Sequence, residues 1–300
     1  MAAFRIERVD HAAQHAALHR VRHQVFVQEQ GVPATLERDA LDAVCVHALA
    51  RDAQGEPIGT GRLLPDGRIG RMAVLAGWRG RGVGEALLEH LVQAATKAGL
   101  AHVHLHAQLP AQAFYARQGF LPGGAELVEA GIVHQPMARA LGSASAIDTP
   151  QAALAATTAV IHRARRQLWL HTRQLDPGLL DAAPVQAALR RFATRPHDKR
   201  LRVIVHDAAA VQSAGSPLLA LMQRLPSVVQ VRESTDPVDR GLASACAVND
   251  AGDYYFRRMG NRLDGEAAFA LPSRSRPLEE QLQRVWDRSR DCSELRALGL

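Results

Sequence analysis

Lysine is nearly absent from this 300-residue chain. Only Lys97 and Lys199 break an otherwise arginine-based set of 36 basic side chains, a compositional bias that marks no site by itself. Aromatic residues make up 4% of the chain, too few to build a base-stacking surface. The net charge of +6 is uneven: residues 1–141 carry 14 basic and 13 acidic side chains, residues 142–300 carry 22 and 17. The excess in the second half is dispersed and lacks interleaved aromatics, which argues against a nucleic-acid partner. Cys45, Cys246 and Cys292 are odd in number, far apart and outside any metal spacing, which excludes a disulfide framework and fits a reducing compartment. No apolar run approaches the roughly 18 residues of a membrane span. Residues 1–8 lack the apolar segment of a signal peptide and read as a strand, so a cytoplasmic location and no membrane partner are expected.

A length of 300 residues suits two domains, and an apolar fraction of 47% is enough for both to bury a core. Phe4–Val9 alternates as a strand, and His11–Gln30 has helical spacing up to the stop at Gly31-Val32-Pro33. Ala34–Asp42 reads as a charged loop. Strands follow over 44–50, 58–64 and up to Val74, then a helix to Ala98, a strand over 103–107, a short helix over 112–118 and further strand between Glu126 and Met137. Gly142-Ser143-Ala144-Ser145-Ala146 is a small-residue stretch that marks a boundary. Beyond it helices (151–166, 185–194, 218–225, 278–289) alternate with strands (167–172, 201–206, 228–232), with a hairpin turning at Asp250–Asp253. The expected class is α/β (α+β): a mixed-sheet domain over 1–141, a linker over 142–147 and a second α/β domain over 148–300.

Arg79-Gly80-Arg81-Gly82-Val83-Gly84 is the most informative stretch. It lies between the apolar run Arg71-Met72-Ala73-Val74-Leu75 and the amphipathic helix that starts at Glu85. A glycine-rich turn entering a helix offers backbone N–H groups at the positive end of the helix dipole, which suits a pyrophosphate. The dinucleotide fingerprint needs a different glycine spacing and an acidic residue at the end of the next strand, where this chain has His106-Ala107-Gln108. A P-loop needs a Lys before Ser or Thr, and none is present.

The loop instead resembles that of the GNAT acetyltransferase superfamily, whose [RQ]-x-x-G-x-[GA] motif is met by Arg79, Gly82 and Gly84. A second motif of that family is met in order by Ala113-Phe114-Tyr115-Ala116-Arg117-Gln118-Gly119-Phe120. Arg22-His23-Gln24-Val25-Phe26-Val27-Gln28-Glu29-Gln30, then Asp39, Asp42, His47 and Gly59-Thr60-Gly61-Arg62-Leu63, are similar to the ElaA-like branch. The resemblance spans about residues 3–141. It implies an N-acetyltransferase whose cosubstrate is acetyl-CoA, lying between the strand ending at Val74 and the strand at His104. Met72, Ala73 and Val74 would pair with the pantetheine arm, and Arg79, Gly80, Arg81, Gly82, Val83 and Gly84 would hold the pyrophosphate. A small-molecule or peptide amine would attack the thioester directly. Tyr115 occupies the family's usual acid position. Glu29, Glu37, His106 and His134 are candidate bases, since a neutral amine requires loss of a proton. His102, His104 and His106 alternate along one strand face, but no cysteine- or carboxylate-supported metal set is evident in the sequence, and none is expected.

The second half faintly resembles half of a phospholipase D-like fold, through its helix–strand alternation, its late hairpin and Val285-Trp286-Asp287-Arg288-Ser289. Aligning that family's H-x-K-x-x-x-x-D on Asp250 puts Ala243 and Ala245 where His and Lys belong, so no phosphodiesterase activity is expected. A binding or regulatory module and a homodimer contact are the roles left open. The alternative to an enzyme is a non-catalytic acetyl-CoA or CoA sensor whose second domain carries the output.

Overall fold

The computed structural model describes residues 4–37, 40–196, 198–215, 217–292 and 295. Asp39 lies outside them. The chain forms two compact units. One comprises residues up to Gln112 together with Gly123–Leu141, and the other comprises Ala113–Pro122 together with Gly142 onward.

In the first unit, β1 (Phe4–Val9), β2 (Val46–Asp52), β3 (Pro57–Leu63) and β4 (Ile69–Val74) form an antiparallel meander. The Asp10 side chain accepts from the Ala13 N–H at 2.8 Å and so starts α1 (His11–Arg22). The helical stretch expected over 11–30 changes pitch after Arg22 and continues over His23–Glu29 with wide, π-type turns. The stretch expected as a loop forms α2 (Ala34–Glu37) and a short 3₁₀ turn over Ala40–Val44. Beyond β4 come α3 (Val83–Lys97) and β5 (His102–Gln108), and the unit closes with β7 (Leu127–Glu129) and β8 (Ile132–Ala140). β8 pairs antiparallel with both β5 and β7.

Period-two alternation divides the work of β3. A Cβ on Gly59 would stand 3.0 Å from the Leu87 side chain, and one on Gly61 would stand 2.4 Å from the Met72 sulfur and 3.0 Å from Leu91. The two glycines therefore let α3 and the Met72 side chain press onto one face. Thr60 and Arg62 point to the opposite face and are buried there. The β3–β4 register shifts opposite Gly61, and Arg71 sits at φ +52°, a left-handed backbone at a bulge. That conformation carries the Arg71 guanidinium to the carbonyls of Leu36 and Glu37, at 3.0 and 3.2 Å. The chain entering β4 runs parallel to β5 and meets it through one isolated bridge, Arg68 with His104, where the His104 N–H donates to the Gly67 carbonyl at 3.1 Å. Among the described residues no ladder joins β4 and β5 past this bridge, so the edge of β4 from Met72 to Val74 carries no neighbouring strand on that side.

Four buried charges lie under the first helix. Arg22 pairs with Glu37 and donates to both oxygens of Asp42, at 3.0 and 2.9 Å, and Arg62 donates to Asp42 as well. His19 adds a contact to Glu37 at 3.0 Å. This network explains why the expected loop is ordered: Glu37 and Asp42 turn inward to neutralise Arg22 and Arg62. Burial works against the charged form of Asp42, but Arg62 and Arg22 outweigh it and lower its pKa below 3.8.

In the second unit, the segment Ala113–Pro122 carries most of α4 (Gln112–Arg117) and the two-residue strand β6 (Leu121–Pro122). Its sheet runs, in spatial order, β16 (Arg290–Asp291), β12 (Val229–Glu233), β11 (Arg200–Val205), β10 (Gln167–His171), β13 (Ala245–Asn249), β14 (Tyr254–Arg257), β15 (Gly265–Ala268) and β9 (Ser145–Ile147). β10, β11 and β12 are parallel; β13, β14, β15, β9 and β16 add antiparallel neighbours. The linker expected over 142–147 is thus partly a strand, because Ser145–Ile147 pairs with β15. Alternate residues serve opposite faces: Leu168 and Leu170 pack with α5 (Pro150–Arg163) and α6 (Ala183–Thr194), while Trp169 packs with Trp286 of α10 (Pro272–Arg288). α7 (Ala208–Ala214), α8 (Pro217–Arg224) and α9 (Pro237–Arg240) complete the unit. The expected hairpin is present, held by Asp253, which accepts from Arg163, Asn249 and the Ala270 N–H at 2.9, 2.9 and 2.7 Å.

Removing one partner of a buried ion pair strands the other charge, at a cost of about 3–5 kcal/mol. Arg22→Ala is therefore expected to destabilise the first unit by about that amount in urea unfolding at pH 7. Because the folded Asp42 pKa is depressed, its contribution is complete above 3.8 and is lost as pH falls through the folded value. The gap between wild type and variant should hold from neutral pH to about 4 and shrink below it.

Candidate active site

The Arg79–Gly84 loop is built by its backbone. Gly80 and Gly82 sit at φ +73° and +88°, where a side chain is strained, and a Cβ on either would meet nothing within 4 Å. The space above them is open. Gly82 is the N-cap of α3 and has no side chain to cap the first turn. α3 has 15 residues, long enough for an effective dipole, and Leu87, Leu88, Leu91, Val92 and Ala95 anchor it against the sheet. An uncapped helix start thus lies just after the unpaired edge of β4.

The two arginines of the loop differ. Arg79 donates to the Val74 carbonyl at 2.9 Å and pairs with Glu29, so it ties the loop to the end of β4 and to the widened first helix. Arg81 lies over the Trp78 ring at 5.2 Å. Arg62 belongs to the buried network and pairs with Asp42, not with Glu29.

The candidate bases separate in the same way. Glu29 is joined through Arg79 to the end of β4. Glu37 is buried and held by Arg22 and His19. Register places His106, Gln108 and His134 on one sheet face, with Gln108 directly opposite His134 and His106 opposite Pro136. Gln108 donates to Gln30 at 3.1 Å, which brings the end of the widened helix to that face. His106 pairs with exposed Glu129 at 2.7 Å. Nδ1 of His134 lies 2.8 Å from the Ile132 carbonyl; a carbonyl only accepts, so Nδ1 carries the proton and Nε2 is left as the basic nitrogen of the neutral ring. Tyr115 packs edge-on against Phe114 and Phe120, and burial pushes its phenol up to about 12. It lies in the 113–122 segment, which belongs to the second compact unit.

Two polar groups escaped the sequence reading. In the second unit His171 and His206, at the ends of parallel strands β10 and β11, face one another with Nε2 atoms 2.9 Å apart. Burial, followed by the proximity of His206, takes His171 down to about 4, so this pair shares one proton between neutral rings at pH 7. Nearby Asp176 (φ +39°) is held by Arg257 and Thr172. In the first unit five histidine rings form a continuous row: His47, His11, His15, His19 and His23, with successive centroids 5.0–5.9 Å apart. Spacing by four along α1 carries that signal, which is easily lost in a count of dispersed histidines.

No helix among the described residues is long and apolar enough to cross a membrane. Residues 9–141 match the family described as acetyltransferase (GNAT) domain, and residues 149–298 match the family described as domain of unknown function (DUF7931). The second match lends no support to a phospholipase D likeness. The chain is 37% identical over 121 residues to the uncharacterized N-acetyltransferase YjcF of Bacillus subtilis (strain 168), covering 39% of this chain and 86% of that protein. Among solved structures it is similar to an acyl-CoA N-acyltransferase from Pseudomonas aeruginosa (34% identity, 46% of this chain, 100% of that one, TM-score 0.42). It is also similar to Escherichia coli ElaA (30% identity, 46% and 99%, TM-score 0.42). The chain therefore belongs, through its first half, to the GNAT family of N-acetyltransferases, and its second half is a member of the DUF7931 domain family.

Proposed function

We propose that this enzyme transfers the acetyl group of acetyl-CoA to a small-molecule or peptide amine by direct attack on the thioester. The observation that carries the reading is the juxtaposition of an unpaired β4 edge with an uncapped α3 start, separated by a loop with two left-handed glycines. The edge offers backbone groups at Met72 and Val74 to an extended amide-bearing chain, with the Val74 carbonyl already accepting from Arg79, and the helix start offers N–H groups to a pyrophosphate. Arg81 adds charge from one side, and Arg79 braces the loop.

In the proposed step the neutral amine nitrogen forms a bond to the acetyl carbon and the C–S bond breaks. The amine proton passes to a base, and the CoA thiolate receives a proton from an acid. Glu29 and His134 suit the base: the first is tied to the end of β4, and the second has a free basic nitrogen. Glu37 is less suited, because its carboxylate compensates Arg22. Tyr115 is assigned the acid role by its place in the motif; its phenol, pushed up to about 12 by burial, is protonated at neutral pH as any tyrosine is.

The 113–122 segment, which carries Tyr115, packs within the second unit. Leu121 and Ala116 join the apolar cluster of residues 147–295, and a Cβ on Gly119 would stand 2.8 Å from the Phe269 ring. We assign acetyl transfer to residues 1–141 and a supporting role to the remainder, which packs the helix carrying Tyr115.

Saturating acetyl-CoA is expected to raise the thermal midpoint of the full chain, and Gly82→Glu should abolish the rise through bulk and like charge. No shift in wild type would refute the cosubstrate. Tyr115→Phe should lower kcat by about 10²-fold or more while leaving acetyl-CoA affinity near wild type; unchanged turnover would remove Tyr115 from the step. A fragment of residues 1–141 should lose most turnover in a thiol-release assay, whereas full turnover would show that 113–122 needs no support from the second half.

A further inference from the structure

The row of histidines begins at a group with the chemistry of a metal site. His11, at the first position of α1, His47, near the start of β2, and Asp42 offer ligand atoms that all lie within 4.8 Å of one another. His47 is 1% exposed, and its Nε2 lies 2.8 Å from the Asp42 backbone carbonyl. A carbonyl only accepts, so Nε2 carries the proton and the lone pair is on Nδ1. That Nδ1 is buried and has no hydrogen-bond partner. A buried imidazole with one nitrogen donating to a backbone carbonyl and the other bare is the arrangement that outer-sphere hydrogen bonds impose on metal-ligating histidines.

The carboxylate is oriented in the same manner. Arg22 donates to both oxygens of Asp42, and Arg62 donates to Oδ1. A carboxylate has about four acceptor positions, so these bonds fix its direction without excluding a further contact. Glu37 and Asp42 already offset the charges of Arg22 and Arg62, so the cluster does not confront an incoming cation with an uncompensated positive field. The third group, His11, is partly exposed and stacks on His47 at 5.0 Å. Two imidazoles and one carboxylate suit a borderline divalent ion such as Zn²⁺ or Co²⁺. Ligand atoms around such an ion lie about 3.4 Å apart, the edge of a tetrahedron with bonds near 2.1 Å. Closing from the present spacing requires rotation of the His11 side chain, the least confined of the three.

We propose that His11, His47 and Asp42 form a binding site for a divalent transition-metal ion, Zn²⁺ or a similar cation, with Arg22, Arg62 and the Asp42 carbonyl as its outer shell. The site shares no residue with the Arg79–Gly84 loop and does not rest on the acetyl-transfer reading. It is a binding site with no chemical step assigned to it.

The test uses the full chain stripped with a chelator. Co²⁺ is titrated while its visible d–d absorption is followed, and Zn²⁺ is titrated in competition with a chromophoric chelator. One equivalent should bind, with the intensified absorption of a low-coordinate Co²⁺ site. His11→Ala and His47→Asn should each weaken binding by about 100-fold. His23→Ala, at the far end of the row, should leave it unchanged. His47 is buried, so a folding defect would confound its variant; the partly exposed His11→Ala, checked by circular dichroism, then decides. Absence of Co²⁺ binding by wild type would overturn the proposal. So would wild-type affinity in His11→Ala, or loss of binding in His23→Ala, which would place the ion on the exposed helix face instead.

Discussion

The parting of β4 from β5 is the constraint around which the first unit is arranged. The two strands approach through one isolated parallel bridge, Arg68 just before β4 with His104 of β5, and among the described residues share no ladder beyond it. An unpaired strand edge is unfavourable unless something completes it. Much of the local chemistry serves to hold this edge in shape. The bulge at Arg71 bends β4, Gly61 admits the Met72 side chain, and Arg79 binds the last carbonyl of the strand and links it to Glu29. The uncapped start of α3 follows at once. The proposed acetyl-CoA, an extended thioester-bearing chain with a pyrophosphate, would meet both groups.

The buried network of Arg22, Glu37, Asp42 and Arg62 supports that arrangement from the opposite face of β3. It orders the segment between the first helix and β2, and Arg71 reaches the same segment through two carbonyls. The network also bears on the acceptor. In the sequence this segment has mixed charge, Glu37, Asp39 and Asp42 against Arg38, a balance that fits a cationic amine. In the structure Glu37 and Asp42 are paired internally with Arg22 and Arg62, so these two carboxylates offer less negative charge than the sequence implies.

Much of this was legible in the sequence, where local chemistry carries the signal. Glycine spacing at Gly80, Gly82 and Gly84 before an amphipathic run identified the helix start, and the strands to Val74 and from His102 fall within a residue or two of expectation. The hairpin at Asp250–Asp253 was also readable, since Asp253 and its turn are local. Features set by distant partners were not. The inward turn of Glu37 depends on Arg22, fifteen residues away in sequence, and Ser145–Ile147 becomes a strand only because β15 is there to receive it. The assignment of residues 113–122 to the second unit rests on partners such as Phe269, which no local pattern announces.

Amide hydrogen exchange tests the central claim most directly, because it reads the backbone groups on which the account depends. With saturating acetyl-CoA, peptides spanning residues 72–85 should exchange more slowly than in the free protein, while β1 and β2 stay unchanged. Unaltered exchange over 72–85 under saturating ligand, or protection confined to other strands, would contradict it.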